Sequence, residues 1–199
     1  PLLEKNNSLL IEGKDFFVGY SPERVNPGDK NHELKKIIKI LAYPHNYKKK
    51  ELIKVYSLVG KKIILSKNIK EAETAKVIEN IQRDVNIGLI NEIYLVCKKL
   101  KLNFNNVINI AATKWNFTKF NPGLVGGHCL PVDPYYLSSI AEKKKIKTNV
   151  ILAGRKTNDK MSNFIINDLK FFLAKKNKSL KNSKIIIMGL SYKAGIADM

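Results

Sequence analysis

Between Lys70 and about Leu102 the chain has no proline and a single glycine, Gly88, while apolar residues return at Val77, Ile81, Val85, Leu89, Ile93 and Val96. A return at nearly every fourth position marks one face of a helix, so the spacing predicts one long helix here. Such a length exceeds that of an ordinary globular helix, which makes it the spine of a helical domain or a dimer surface. The stripe could face its own core or a twin.

Shorter patterns flank the spine. Residues 16–20, 37–42 and 63–65 are short β-type runs, with a helix predicted near 49–59. The first run delivers a loop, Ser21-Pro22-Glu23-Arg24-Val25-Asn26-Pro27-Gly28, where two prolines and a glycine end regular structure. After the spine the pattern predicts a helix over 105–115, a loop rich in Gly and Pro over 121–131, and a helix from 133 to about 145. Asp133 is read as its N-cap, with Pro134 in its first turn. A further long helix is expected over 149–176 and a buried-type strand over 184–188. The order is α/β, then all-helical, then the start of a new α/β unit, with divisions at 1–69, 70–182 and 183–199.

Composition narrows the class. Of 199 residues 44% are hydrophobic, too many for a disordered polyelectrolyte. No apolar run approaches the roughly 18 to 20 residues of a membrane span. The opening has no Met, basic n-region or apolar h-region, so no secretory signal is read and both ends look cut. With two cysteines, Cys97 and Cys129, there is no disulfide framework, and a cytoplasmic location is expected. The 36 basic against 17 acidic side chains leave a net charge of +19, which raises nucleic acid as a partner. Yet the only arginines are Arg24, Arg83 and Arg155, and lysine, asparagine and isoleucine are all abundant. That pattern fits A/T-rich coding with lysines spread over helix surfaces. A basic helical module binding nucleic acid is therefore the weaker reading.

The strongest chemical signal is Gly126-Gly127-His128-Cys129-Leu130-Pro131-Val132-Asp133-Pro134. Two glycines allow close approach to the thiol, and the helix that follows offers a positive dipole end that favours thiolate. The same residues also fit a Gly-rich turn with a buried cysteine and a capping aspartate. Cys97, set in a helical stripe, reads as core. Lys76 and Asn80 stand four apart on one helix face, where an ammonium and an amide could meet a developing oxyanion, or simply face solvent. Glu23 could orient a water or a proton, or form a loop salt bridge. His32, His45 and His128 show no metal-ligand spacing, so no metal is expected.

In order along the chain, Gly19-Tyr20-Ser21-Pro22-Glu23-Arg24-Val25, Glu73-Thr74-Ala75-Lys76-Val77-Ile78-Glu79-Asn80, the run from Gly126 to Asp133, Thr157-Asn158-Asp159 and Gly189-Leu190-Ser191-Tyr192-Lys193 resemble the nucleotide-sugar 6-dehydrogenase family. That family contains the UDP-glucose, GDP-mannose and UDP-N-acetylhexosamine dehydrogenases. The resemblance implies the end of an N-terminal Rossmann-like NAD-binding domain, a complete central all-helical domain that mediates a homodimer, and the first strand of a C-terminal Rossmann-like UDP-binding domain. It implies an enzyme that oxidises the C6 alcohol of a UDP-sugar to the acid in two steps, with NAD as cofactor. Cys129 matches the nucleophile, Lys76 and Asn80 the groups that stabilise charge on oxygen, Asp133 the carboxylate acting with a water, and Glu23 the glutamate near thioester hydrolysis. Gly126, Gly127, Asn158 and Lys193 match positions near the substrate.

Two departures refine the resemblance. Pro27 stands where UDP-glucose enzymes carry a second glutamate, and Val132 where they carry a lysine. These, with His128 and Asp133-Pro134-Tyr135-Tyr136, are more similar to the UDP-N-acetylglucosamine and UDP-N-acetylmannosamine enzymes of polysaccharide synthesis. No Gly-x-Gly-x-x-Gly fingerprint occurs, so the main NAD phosphate loop is absent and turnover by this stretch alone is not expected. A β-hydroxyacid-type dehydrogenase, which needs no cysteine, is the remaining alternative.

Overall fold

The computed structural model describes residues 10–189 except Pro27, Lys30 and Tyr47. The chain divides into two compact units, Pro1–Lys76 and Val77–Met199.

In the first unit, strands β1 (Ile38–Ala42) and β2 (Lys62–Ser66) pair in parallel, with Ile38 opposite Lys62 and Ala42 opposite Ser66. A parallel pair needs a crossover, and helix α1 (Lys49–Ser57) supplies it. Leu41, Ala42 and Tyr43 are buried at the end of β1. The run at 16–20, predicted as a strand, is reduced to bridges. Tyr20 exchanges two 2.8 Å backbone bonds with Ala42, and pairing stops there. Pro22, two residues on, has no N–H to extend it and is fully buried.

Helix α2 (Ile69–Lys99) is the predicted spine, 31 residues long. It is followed in the second unit by α3 (Phe104–Ala111), α4 (Asp133–Lys143) and α5 (Asn149–Ala174). The side chain of Asn103 caps α3 by accepting from the Asn106 N–H at 3.1 Å. That helix stops at Ala111 rather than near 115. Thr113 and Lys114 donate to carbonyls three residues back, and this tightening ends the α pitch.

Three of these helices end alike. Lys101, Lys145 and Asn177 adopt left-handed φ values of 57°, 61° and 54°. The next N–H in each case reaches back to a carbonyl five residues earlier: Leu102 to Cys97, Ile146 to Ala141 and Lys178 to Leu173. These are glycine-type C-caps built without glycine.

The predicted apolar stripe of α2 is only partly inward. Ile81 is buried, but Leu89 and Val96 are more than half exposed. The buried seam instead contains Asn80, Asp84, Gly88 and Asn91, with Ile81, Ile90 and Cys97 beside it. Polar residues can occupy an interior seam only when each finds partners, and here α5 supplies most of them. Backbone contact makes this possible. A Cβ at Gly88 would stand 2.7 Å from the Gly154 carbonyl oxygen, and one at Gly154 would stand 3.1 Å from the Val85 Cα. Cys97 is buried as expected, in the same unit as Ile108 and Met161.

Residues 184–188, predicted as a strand, form none. Ile186, Ile187 and Met188 are more than four-fifths exposed, and among the described residues no strand pairs with them. A strand exists only through its ladder partner, so apolar character alone does not produce one. Among the described residues no helix is long and apolar enough to cross a membrane.

Candidate active site around Cys129

The loop before α4 presents Cys129 as a free, exposed thiol. The buried-cysteine alternative does not hold. Gly126, Gly127 and His128 beside it are also exposed, and Gly127 takes φ +89°, which side chains rarely adopt. The Cys129 carbonyl accepts the N–H groups of Val132 at 3.0 Å and Asp133 at 2.9 Å, which folds the loop directly into the helix.

Asp133 is the first residue of α4, not its N-cap. That position belongs to Val132, whose side chain has nothing to donate or accept, and Pro134 follows in the first turn. The Asp133 carboxylate turns instead to the spine, where Asn80 Nδ2 donates to Oδ2 at 2.6 Å. An anion in the first turn also gains from the helix dipole. Asn80, Asp133 and the backbone of Cys129 are therefore joined by consecutive hydrogen bonds. Lys76 lies one turn before Asn80 on α2 and is half-buried.

Glu23 belongs to the first unit. Its Oε1 accepts the backbone N–H of Arg24 at 2.7 Å and of Val25 at 2.6 Å, and Oε2 meets the ammonium of buried Lys39 at 3.5 Å. Burial opposes its charge, but the two backbone bonds and then Lys39 hold the carboxyl below the ordinary glutamate range. Arg24 is turned elsewhere, donating to the Ile38 carbonyl at 3.0 Å.

Asn158, expected at the substrate, is in the interior. Its Nδ2 donates to the Asp84 carbonyl at 2.9 Å and to Asp84 Oδ1 at 2.8 Å, and its Oδ1 accepts from Asn91 Nδ2 at 2.8 Å. Both ends of the amide are committed to protein groups. Lys193 lies outside the described residues.

Sequence reasoning missed Asp84, Asn91 and Arg155. Arg155 is buried, pairs with Asp84, and reaches Asp159 at 3.1 Å, while Tyr135 of α4 donates to Asp159 at 3.2 Å. Burial pushes the Asp84 carboxyl above the usual aspartate range, and Arg155 and Asn158 oppose that rise. The available signal was the spacing of Asn80, Asp84 and Asn91 on α2 against Arg155 and Asn158 on α5. It marks one polar face on each of two helices that otherwise carry apolar stripes. Among the described residues no group of three or more His, Cys, Asp or Glu is placed to hold a metal.

Residues 70–160 match the UDP-glucose/GDP-mannose dehydrogenase family, central domain. Protein CapL of Staphylococcus aureus is 44% identical over 200 residues, covering all of this chain and 47% of its own length. The UDP-N-acetyl-D-glucosamine 6-dehydrogenase of Pseudomonas aeruginosa is 40% identical over 204 residues, again across this whole chain and 47% of its own. Among solved structures, the UDP-D-ManNAc dehydrogenase of Pyrococcus horikoshii superimposes with a TM-score of 0.79 at 37% identity, over 89% of this chain and 42% of that one. The chain thus spans about half the length of the curated relatives it matches.

Proposed function

We propose that this chain, whose residues 70–160 match the central domain of the UDP-glucose/GDP-mannose dehydrogenase family, is the nucleophile-bearing part of an NAD-dependent UDP-N-acetylhexosamine 6-dehydrogenase. One observation carries the reading: an exposed thiol at Cys129 is joined through its own carbonyl to Asp133, whose carboxylate Asn80 holds.

The chemistry follows from those groups. A C6 aldehyde is captured by the Cys129 sulfur as a thiohemiacetal, whose carbon retains one hydrogen. Loss of that hydrogen as hydride leaves a thioester, and water releases the acid and the free thiol. Each addition places charge on oxygen, which Asn80 and Lys76 stabilise. Asp133 moves the proton of the attacking water, and Glu23 serves thioester hydrolysis. A nicotinamide cofactor would accept the two hydrides when bound. These residues include no Gly-x-Gly-x-x-Gly loop for its phosphates, and what this chain brings to the chemistry is the nucleophile and the groups named with it. Gly126 and Gly127 let the sugar nucleotide approach the thiol. Asn158, whose amide is bonded to Asp84 and Asn91, and Lys193 remain positions near the substrate by resemblance.

The N-acetylhexosamine preference rests on Pro27, Val132 and His128, and on the similarity to the UDP-N-acetyl-D-glucosamine and UDP-D-ManNAc dehydrogenases. A homodimer through the central domain fits the exposed Leu89 and Val96 of α2. The test is expression of the complete reading frame and measurement of NADH formed from UDP-N-acetylglucosamine, UDP-N-acetylmannosamine and UDP-glucose, with Cys129→Ser in parallel. Two NADH per sugar from an N-acetylhexosamine, abolished in the variant, is the expected result. Equal turnover in both proteins overturns the nucleophile, and preference for UDP-glucose overturns the substrate.

A further inference from the structure

We infer that Asn91 is a positioning residue that anchors the Cys129 loop to the spine helix through the peptide of Gly123. The consequence for catalysis rests on the reading of Cys129 as nucleophile; the anchor itself does not.

Asn91 is wholly buried. Its Oδ1 accepts the Gly123 N–H at 2.7 Å, and its Nδ2 donates to the Gly123 carbonyl at 3.0 Å and to Asn158 Oδ1 at 2.8 Å. Both amide protons and the amide oxygen are thus used, and the side chain grips both sides of one residue's backbone as a neighbouring strand would. Asn158 in turn spends its Nδ2 on Asp84. Turning either amide over would set donor against donor and acceptor against acceptor inside the protein, so the pair has one orientation.

The loop needs such an anchor. None of residues 124–132 is fully buried, so the hydrogen bonds at the two ends of the segment bear directly on where it sits. Gly123 is tied to Asn91 at one end of the segment, and Asp133 to Asn80 at the other. The two attachment points are eleven residues apart on one helix, roughly 16 Å at 1.5 Å per residue. Nine intervening residues could stretch to about 30 Å. The segment must therefore arch, and Cys129 lies on the arch. Loss of the Asn91 tie frees one foot while leaving Asp133 in place.

The experiment uses the complete reading frame. In the wild-type protein the Gly123 amide is expected to exchange with deuterium at least about 100-fold more slowly than those of Gly126 and Gly127. Equal rates would overturn the anchor without any variant being made. In Asn91→Ala, exchange at Gly123 should rise at least roughly ten-fold, the equivalent of one lost hydrogen bond. Alkylation of Cys129 by iodoacetamide should change rate while interior Cys97 stays protected, and kcat should fall up to about 100-fold with KM little changed. Parallel exposure of Cys97 would mean that the domain merely loosens, and the inference fails. Should Cys129→Ser turn over normally while Gly123 stays protected, the nucleophile reading falls and the anchor stands.

Discussion

Asn80 and Asp133, 53 residues apart in sequence, meet through a 2.6 Å hydrogen bond between the spine helix and the first turn of the helix behind Cys129. The contact decides where Asp133 points. A carboxylate at that position would otherwise serve its own helix end, and here it is held against α2 instead. Asn80→Ala and Asp133→Ala should therefore not act independently. A double-mutant cycle in urea denaturation is expected to give a coupling of about 1.5–3 kcal/mol, as for a hydrogen bond to a charged group. Additive effects would show that the contact does not hold in solution.

The crossing of α2 and α5 predicts an inverted response to alanine. At an open helix position Gly→Ala stabilises by about 0.5–1 kcal/mol. At Gly88 the new Cβ would lie 2.7 Å from a backbone oxygen, so Gly88→Ala should destabilise by about 1–3 kcal/mol or more. Gly154→Ala, whose nearest neighbour is 3.1 Å away, should cost less. Thermal unfolding of both variants checks the order, and a stabilised Gly88→Ala would refute the close approach.

Two lysines occupy helix caps that suit glycine. A left-handed residue with a Cβ costs roughly 1–2 kcal/mol, partly offset by the greater entropy glycine loses on folding. Lys101→Gly and Lys145→Gly should each raise stability by about 0.5–1 kcal/mol, read as a higher unfolding midpoint. An unchanged midpoint in both would argue against the left-handed caps.

Glu23 provides the pH prediction. Its carboxyl is held below the ordinary value of 4.5, with burial outweighed by the N–H groups of Val25 and Arg24 and by Lys39. Because the folded group ionises more readily than the unfolded one, its contribution is present above about pH 4.5 and is lost as pH falls through the folded value. Lys39→Met should move the carboxyl resonance titration upward, and the first unit should then weaken at a higher pH. A titration unmoved by the substitution would remove Lys39 from the account.

Much of this was legible in the chain, for identifiable reasons. Helix α2 follows from local periodicity, the two strands from short β-type runs whose parallel pairing only the structure gives, and the burial of Cys97 from its place in a stripe. The glycine-rich run with Cys129 was visible in the chain, but its spacing fitted a buried cysteine in a turn as well as a nucleophile, and only the exposure of the thiol separates the two. The strand at 184–188 was misread because its pattern carries apolar character but not a partner. The substrate role given to Asn158 came from a motif, whereas its amide is consumed inside the protein.

The sequence by itself determined the helices and the two paired strands, since propensity and spacing act over a few residues, and it marked the thiol as a candidate. Only the tertiary structure decided which face of the spine is buried. That face is chosen by pairing rather than by hydropathy: Asn80, Asp84 and Asn91 can leave water because Asp133, Arg155, Asn158 and the Gly123 peptide meet them there. The spacing of these residues marks a polar face on each helix, but which distant group meets which is set only when the helices pack.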